Sequence, residues 1–529
     1  MAYHSTLYLL AFLPIVLLLY QIVPQRWRWS LLLGASYFYF WSFSGVLVLY
    51  LAGTTLFVAG IGRCLHRMKL RCKEEAKTLE RAERSQYKKR CHRRERQLLT
   101  VSIIVLVGVL GYLKYANFLI ENTNSLLAAL HIQVSMATRK IMVPIGVSFY
   151  TLEAIGYLVD VYWEKIPGNE PLGKVALFLG FFPQTMEGPI AMYEQTADDI
   201  WAGKPLKLQQ LGDGAVRIFW GLFKKIIIAD RLAVAANELF DHFTDYHGVM
   251  IVVAAVFYTV QLYMEFSGCM DIVIGSGQLF GICLPENFNQ PFVSRNPAEF
   301  WRRWHMSLGV WFRTYIFYPV STSGLVKKWT KFARKKLGKQ ASKVGVSALA
   351  LFPVWMCNGL WHGASWNYIF YGVYYFVLLL GSVILEPVRE RVLQVTGADE
   401  TAAYWKVSQI LKTWVIIVTG ELFFRANGIR AGLIMFTSMF RSFSLSPLCD
   451  GSLLALGLEW TDYVIVAAGC LAVAVVGSIR EHQRLGGRRL LELPRPIGWG
   501  LCLALILSVV IFGAYGVGYQ QVDLIYAGF

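Results

Sequence analysis

Two imidazoles stand in stretches of chain where an imidazole is costly to hold. His362 lies in WMCNGLWHGASWNYIFY, Trp355 to Tyr371, between apolar runs on both sides. Gly359 and Gly363 flank it and let other backbone or a ligand approach closely. Asn358, Ser365 and Asn367 offer polar partners, and two tryptophans, one of them Trp361, bracket the ring. Desolvation disfavours the charged form, so this ring is expected to be neutral and able to accept a proton from a hydroxyl. A structural, hydrogen-bonded histidine would read the same way from position alone.

His305 lies in LPENFNQPFVSRNPAEFWRRWHMSLGVWFRTYIFYPV, Leu284 to Val320. Asn296 suits an N-cap, Pro297 the first helical position, and Glu299 a capping box, so a helix should start there. Continued at helical spacing, Trp301, Trp304, Leu308 and Trp311 share one side and Arg302, His305 and Gly309 another. The spacing predicts an amphipathic helix with an imidazole on its polar face. The bland alternative is a satisfied histidine in an interfacial helix.

Several chemistries have no basis in these residues. There is no GxSxG nucleophile elbow, no HExxH and no Gly-rich phosphate loop after a strand. Neither histidine has the close carboxylate or cysteine spacing of a metal site, so no metal is expected. A nucleophile would be a substrate hydroxyl. Other charges in apolar surroundings are Glu153, Asp160, Glu187, Glu265 and Asp271. Glu421 and Arg425, spaced i,i+4, are expected to pair. Asp271 is a candidate to neutralise Arg302 or Arg303, because buried charges are normally paired.

The elements that hold these residues must lie in lipid. The chain has 529 residues, 56% hydrophobic, with 16% charged and 15% aromatic. A soluble protein carries about 25% charged residues, so too little polar surface is available to coat a globule of this size. A spanning helix needs about 20 apolar residues. Candidate stretches lie near 6–23, 30–62, 98–120, 141–163, 172–191, 211–229, 249–283, 300–320, 344–358, 364–386, 407–425, 431–443, 460–479 and 497–518. Several are too short or broken by Pro or Gly, so roughly 10–13 true spans are expected, with re-entrant or interfacial pieces between them. The fold class is all-α and polytopic.

The net charge of +17 is gathered in blocks between the apolar stretches. That pattern suits loops at an anionic membrane surface rather than nucleic-acid binding. The blocks are Arg63–Arg96, Lys327–Lys343 and Arg480–Arg495, and all three should face the cytoplasm. Residues 63–97 read as a charged surface helix or loop. The tail 518–529 should then emerge on the outer face. The nine cysteines form no CxxC pair, and reduced thiols are expected. Residues 7–19 are apolar without a small-residue cleavage site after them, and read as a first anchor.

The runs NFNQPFVSRNPAEFWRRWHMSLGVWFRTYIFYP and NGLWHGASWNYIFYG resemble the membrane-bound O-acyltransferase family, in its bacterial cell-envelope branch. LGYLKYANF at 110–118, VPIGVSFYTLEAIGYLVDVYW at 143–163, FFPQTMEGPI at 181–190 and LYMEFSGCMDIVIG at 262–275 carry the likeness across nearly the whole chain. Length and segment order are most similar to members that serve alginate O-acetylation; members that pass D-alanine toward teichoic acids are shorter.

The resemblance implies one membrane domain over 1–529, a ring of helices around a tunnel, with the catalytic core in 284–386. It implies His362 as the catalytic histidine and His305 as a second active-site histidine, with Asn358, Trp361, Arg302, Trp304 and Ser365 around the substrate. It implies no tightly bound cofactor and acetyl-CoA as acyl donor, an acyl-carrier thioester being the alternative. The last residues, LIYAGF, resemble a C-terminal motif whose tyrosine, here Tyr526, carries the acyl group temporarily; an aromatic interface anchor is the bland reading. The expected surroundings are membrane lipids, an extracytoplasmic Ser-His-Asp (SGNH-type) acetyltransferase partner and a polysaccharide acceptor, in a bacterial cytoplasmic membrane. Glu265 and Glu187 depart from the residues usual in the branch and leave the acceptor polymer open. A transporter or flippase is the rival from another class, but no inverted repeat is visible.

Overall fold

The computed structural model describes residues 1–483 and 494–515. Tyr526, the tail 518–529 and most of the Arg480–Arg495 block lie outside the described residues. Among the described residues the fold is all-α. Seven helical stretches among the described residues are long and apolar enough to cross a membrane, the first of them, Gln25–Thr78, carrying two consecutive helices. Leu7–Ile22, Ile429–Ser438 and Pro496–Phe512 are shorter apolar helices. Leu10, Leu18, Val46, Leu49 and Leu56 all point outward. Apolar side chains on that scale are tolerated only where lipid replaces water.

The chain divides into two compact units, residues 1–215 with 273–285, and residues 216–272 with 286–529. In the first unit the Val48–Thr78 and Arg81–Ala129 helices run past their apolar portions into the first basic block, so residues 63–97 form a helical hairpin turning at Leu79 and Glu80. Lys69 and Lys73 of this hairpin pair with Glu164 at 3.3 and 2.6 Å. The 141–163 stretch is realised as a 16-residue helix, Val147–Tyr162, buried at every position from Val147 to Val161. Its Glu153 carboxylate accepts from Gln184 Nε2 (3.2 Å) in FFPQTMEGPI and from the Ala191 N–H (3.3 Å) just after it. The 172–191 stretch contains a nine-residue helix, Leu172–Gly180, followed by irregular chain, and is too short to span.

The second unit holds both histidines. Its core is aromatic and includes Phe300, Trp304, Trp355, Tyr371, Tyr375, Phe423 and Phe424. Gly221 and Gly268 bring two helices into backbone contact; a Cβ on Gly221 would sit 2.5 Å from the Gly268 carbonyl oxygen. Beside this crossing Asp271 accepts from Arg217 Nε (3.0 Å) and pairs with Lys224 Nζ (2.6 Å), while Arg217 also reaches Glu286. Asp271 therefore neutralises Arg217 and Lys224, and Arg303 pairs with Glu299 at 3.0 Å.

Removing Asp271 would take that carboxylate from buried Lys224 and from half-buried Arg217. Asp271→Ala is expected to cost about 3–5 kcal/mol. Thermal unfolding of the detergent-solubilised protein measures it, and an unchanged midpoint would contradict this reading of the cluster.

Candidate active site

The site is built on a helical hairpin and a helix break. The hairpin joins Gly338–His362 to Trp366–Ile384 through the three residues Gly363–Ser365. Gly359 and Gly372 let its two helices touch: a Cβ on Gly359 would lie 2.4 Å from the Tyr368 carbonyl oxygen, and one on Gly372 2.4 Å from that of Trp355. This close crossing sets the position of His362 at the C-terminal end of the first helix. Ser365 is the N-cap residue of the second helix, without a side-chain cap bond, and is half-buried.

Gly359→Ala must push the helices apart, because the clash is with backbone rather than a flexible side chain. A cost of about 1–3 kcal/mol is expected. Shifting His362 by an ångström would lower turnover about 100-fold. Kinetics of the purified variant test this; wild-type turnover would mean that the crossing does not set the site.

The His305 segment is not the continuous helix that the spacing predicts. The start is as expected: Asn296 Oδ1 accepts from the Glu299 N–H at 2.8 Å, with Pro297 at the first turn. Glu299 reaches the N–H of Arg295 (3.0 Å), one residue before the cap. The helix Pro297–Arg303 then stops at Trp304, which is extended, and His305, which is left-handed with φ of 45°. A second helix, Met306–Phe312, follows, so 300–320 is not a span. Left-handed backbone is rare for a non-glycine residue and has to be held by its surroundings.

What holds it is the Asn287–Asn289 segment. The Asn289 N–H donates to the Arg303 carbonyl (2.9 Å) and the Met306 N–H to the Asn287 carbonyl (2.9 Å). Asn287 Oδ1 also meets the Ser307 N–H (3.1 Å), Ser307 Oγ (3.0 Å) and His305 Nδ1 (3.1 Å). Asn287 was not among the residues singled out by sequence. The signal for it lay in the NFNQ run, a polar asparagine between apolar residues, which reads as a loop until its partner is known.

The rings form a continuous aromatic contact. Phe266 packs edge-on against His305 (4.9 Å between centroids), His305 against Trp361 (5.4 Å), Trp361 against His362 (5.0 Å), and His362 against Phe424 (5.0 Å) and Tyr371 (5.9 Å). Burial pushes the His305 pKa down to about 3, so this ring is neutral. Glu421 does not face Arg425 as the i,i+4 spacing suggests. It accepts from Tyr371 Oη at 2.9 Å, while Arg425 bonds Asn237 and lies over the Phe240 ring.

A cavity of about 430 Å³ opens among these elements. Its wall brings together Arg302, Trp304, His305, Asn358 and His362 of the residues expected from sequence, and adds Arg313. Trp361 is not part of the wall; it packs between the two imidazoles behind it. Ser365 is also absent from the wall. The lining is largely apolar, with two imidazoles, the Asn358 amide, the Ser382 hydroxyl and two exposed guanidinium groups among its polar features. Such a lining suits a small acyl chain beside a reacting polar group.

Comparison with known proteins finds a family match and several relatives. A profile of the family described as "MBOAT, membrane-bound O-acyltransferase family" matches residues 171–420. The chain is 32% identical over 472 residues to "Probable alginate O-acetylase AlgI" of Azotobacter vinelandii, covering 88% of this chain and 84% of that one. It is 28% identical to "Peptidoglycan O-acetyltransferase" of Helicobacter pylori, over 71% of this chain and 69% of the relative. It is 30% identical over 247 residues to "Teichoic acid D-alanyltransferase" of Bacillus subtilis, over 44% and 58% respectively.

Proposed function

The chain belongs to the membrane-bound O-acyltransferase family, and from that premise we propose that it moves an acetyl group from a cytoplasmic thioester to a hydroxyl, for O-acetylation of a polysaccharide outside the cell. The observation that carries the reading is the presence of His305 and His362 on the wall of one apolar cavity. The donor we propose is acetyl-CoA, and the membrane is the bacterial cytoplasmic membrane with the basic blocks on its inner side. Arg302 and Arg313 on the wall suit the negative charge of a donor's phosphates.

In the proposed step the acceptor oxygen attacks the thioester carbonyl. A C–O bond forms and the C–S bond breaks. His362 takes the hydroxyl proton and returns it to the departing thiolate, so the products are an ester and a free thiol. His305 orients the bound substrate from the same wall. Asn358 and Trp304 line the acyl position, with Trp361 keeping the two imidazoles apart.

The acceptor hydroxyl we propose is that of Tyr526. From there the acyl group would pass to an extracytoplasmic Ser-His-Asp transferase and then to the polymer. A phenol has a pKa of about 10, so its ester is a better acyl donor than an alkyl ester and keeps acyl energy for the next transfer. D-alanyl transfer is the second reading, favoured by the teichoic acid relative but over less than half of this chain.

The test uses the purified full chain in lipid nanodiscs with labelled acetyl-CoA. Release of free CoA with transfer of label to protein is the expected result. Intact thioester, with release only from a D-alanyl carrier thioester, would move the assignment to the second reading. Substrate flux across the bilayer without thioester cleavage would favour a transporter instead.

A further inference from the structure

The hydrogen bonds around Asn287 decide which nitrogen of His305 carries the proton. The Ser307 backbone N–H can only donate, so the Asn287 atom that it meets at 3.1 Å is the carbonyl oxygen. Asn287 Nδ2 faces Met270 Sδ at 3.2 Å, a weak acceptor, which agrees with that orientation. The same oxygen lies 3.1 Å from His305 Nδ1. An oxygen that only accepts requires N–H from its partner. Nδ1 is therefore protonated, and in a neutral ring Nε2 carries the lone pair. Nε2 is buried and meets no hydrogen-bond partner among the described residues. Buried acceptors are normally paired, and the ring lies on the cavity wall, within reach of a hydrogen-bond donor on a bound substrate.

We infer that Asn287 is a positioning residue that fixes His305 as its Nδ1–H tautomer, leaving Nε2 as the ring's hydrogen-bond acceptor on the cavity wall. The inference rests on the acyl-transfer reading for its consequence in catalysis, though not for the tautomer itself. Asn287 acts twice in the same place. Its backbone carbonyl takes the Met306 N–H and holds the break in the helix, while its side chain sets the ring that the break presents. The left-handed backbone at His305 is the local strain that this clamp sustains. Partners that orient metal-bound histidines commonly change activity about 10–100-fold when removed, and the same scale is expected for Asn287.

Solid-state ¹⁵N NMR of the full chain, histidine-labelled and reconstituted in lipid, reads the tautomer directly. The His305 signal is the one lost in His305→Ala. The expected wild-type spectrum has protonated Nδ1 and bare Nε2, retained in Asn287→Asp, whose carboxylate also accepts. Asn287→Leu is expected to shift population to the Nε2–H form and to lower kcat for thioester cleavage about 100-fold with KM within about twofold. A wild-type ring protonated on Nε2, or an Asn287→Leu ring with the wild-type tautomer, overturns the inference. If Asn287→Leu does not accumulate, the wild-type and Asn287→Asp spectra still decide. Wild-type protein that leaves the thioester intact overturns the acyl-transfer reading instead, and the spectra decide the tautomer regardless.

Discussion

His362→Ala is expected to lower acyl transfer at least about 1,000-fold while the protein stays in the membrane at its usual level. Removal of a positioned general base typically costs between about 100- and 10,000-fold. The upper part of that range is expected here, because a largely apolar cavity offers little to replace the base. His305 is not a substitute: burial makes its ring a weak base, and Trp361 stands between the two rings. The truncation also leaves a space against Phe424 and Tyr371, so His362→Gln, which fills more of it, serves as the packing control. Polysaccharide O-acetyl content and membrane protein level, measured in the same cells, check the prediction. Activity of either variant within tenfold of wild type would remove His362 from the chemistry.

The second large effect is expected at Tyr526. Tyr526→Phe deletes one oxygen and keeps the aromatic ring. If the residue anchors the tail at the membrane interface, phenylalanine supplies nearly the same apolar surface and activity should persist. If the phenol carries the acyl group, polymer O-acetylation should fall to background, at least about 100-fold, with the membrane level unchanged. Thioester cleavage in vitro should fall with it to the rate of hydrolysis. O-acetyl content close to that of wild type would leave Tyr526 as an anchor and require another acceptor.

Much of this architecture was legible in the residues. The apolar stretches, the N-cap at Asn296 and the exposure of the basic hairpin all follow from local spacing and composition. The misreadings share one physical cause. The 3–4 residue spacing of Trp301, Trp304, Leu308 and Trp311 continues straight through the break at His305. What breaks the helix is Asn287, 18 residues upstream of His305, and no local period reports it. Glu421 and Arg425 have the spacing of a pair, but each finds a better partner from another element. Asp271 was matched with the nearest conspicuous arginines in sequence, while the cations that reach it come from Arg217 and Lys224, more than forty positions away in the chain (54 for Arg217). The two histidines stood out because polar groups are rare in such apolar stretches. The asparagine that sets one of them is an ordinary loop residue until the fold brings it there.

The account turns on His362 driving transfer of an acyl group onto this chain. Mass spectrometry of the C-terminal peptide, after incubating wild-type and His362→Ala protein with isotopically labelled acetyl-CoA, tests that most directly. The expected result is a labelled acetyl group on Tyr526 of the wild type and none on the variant. Equal labelling of the two proteins would contradict the account, because the acyl group would then arrive without the imidazole assigned to move its proton.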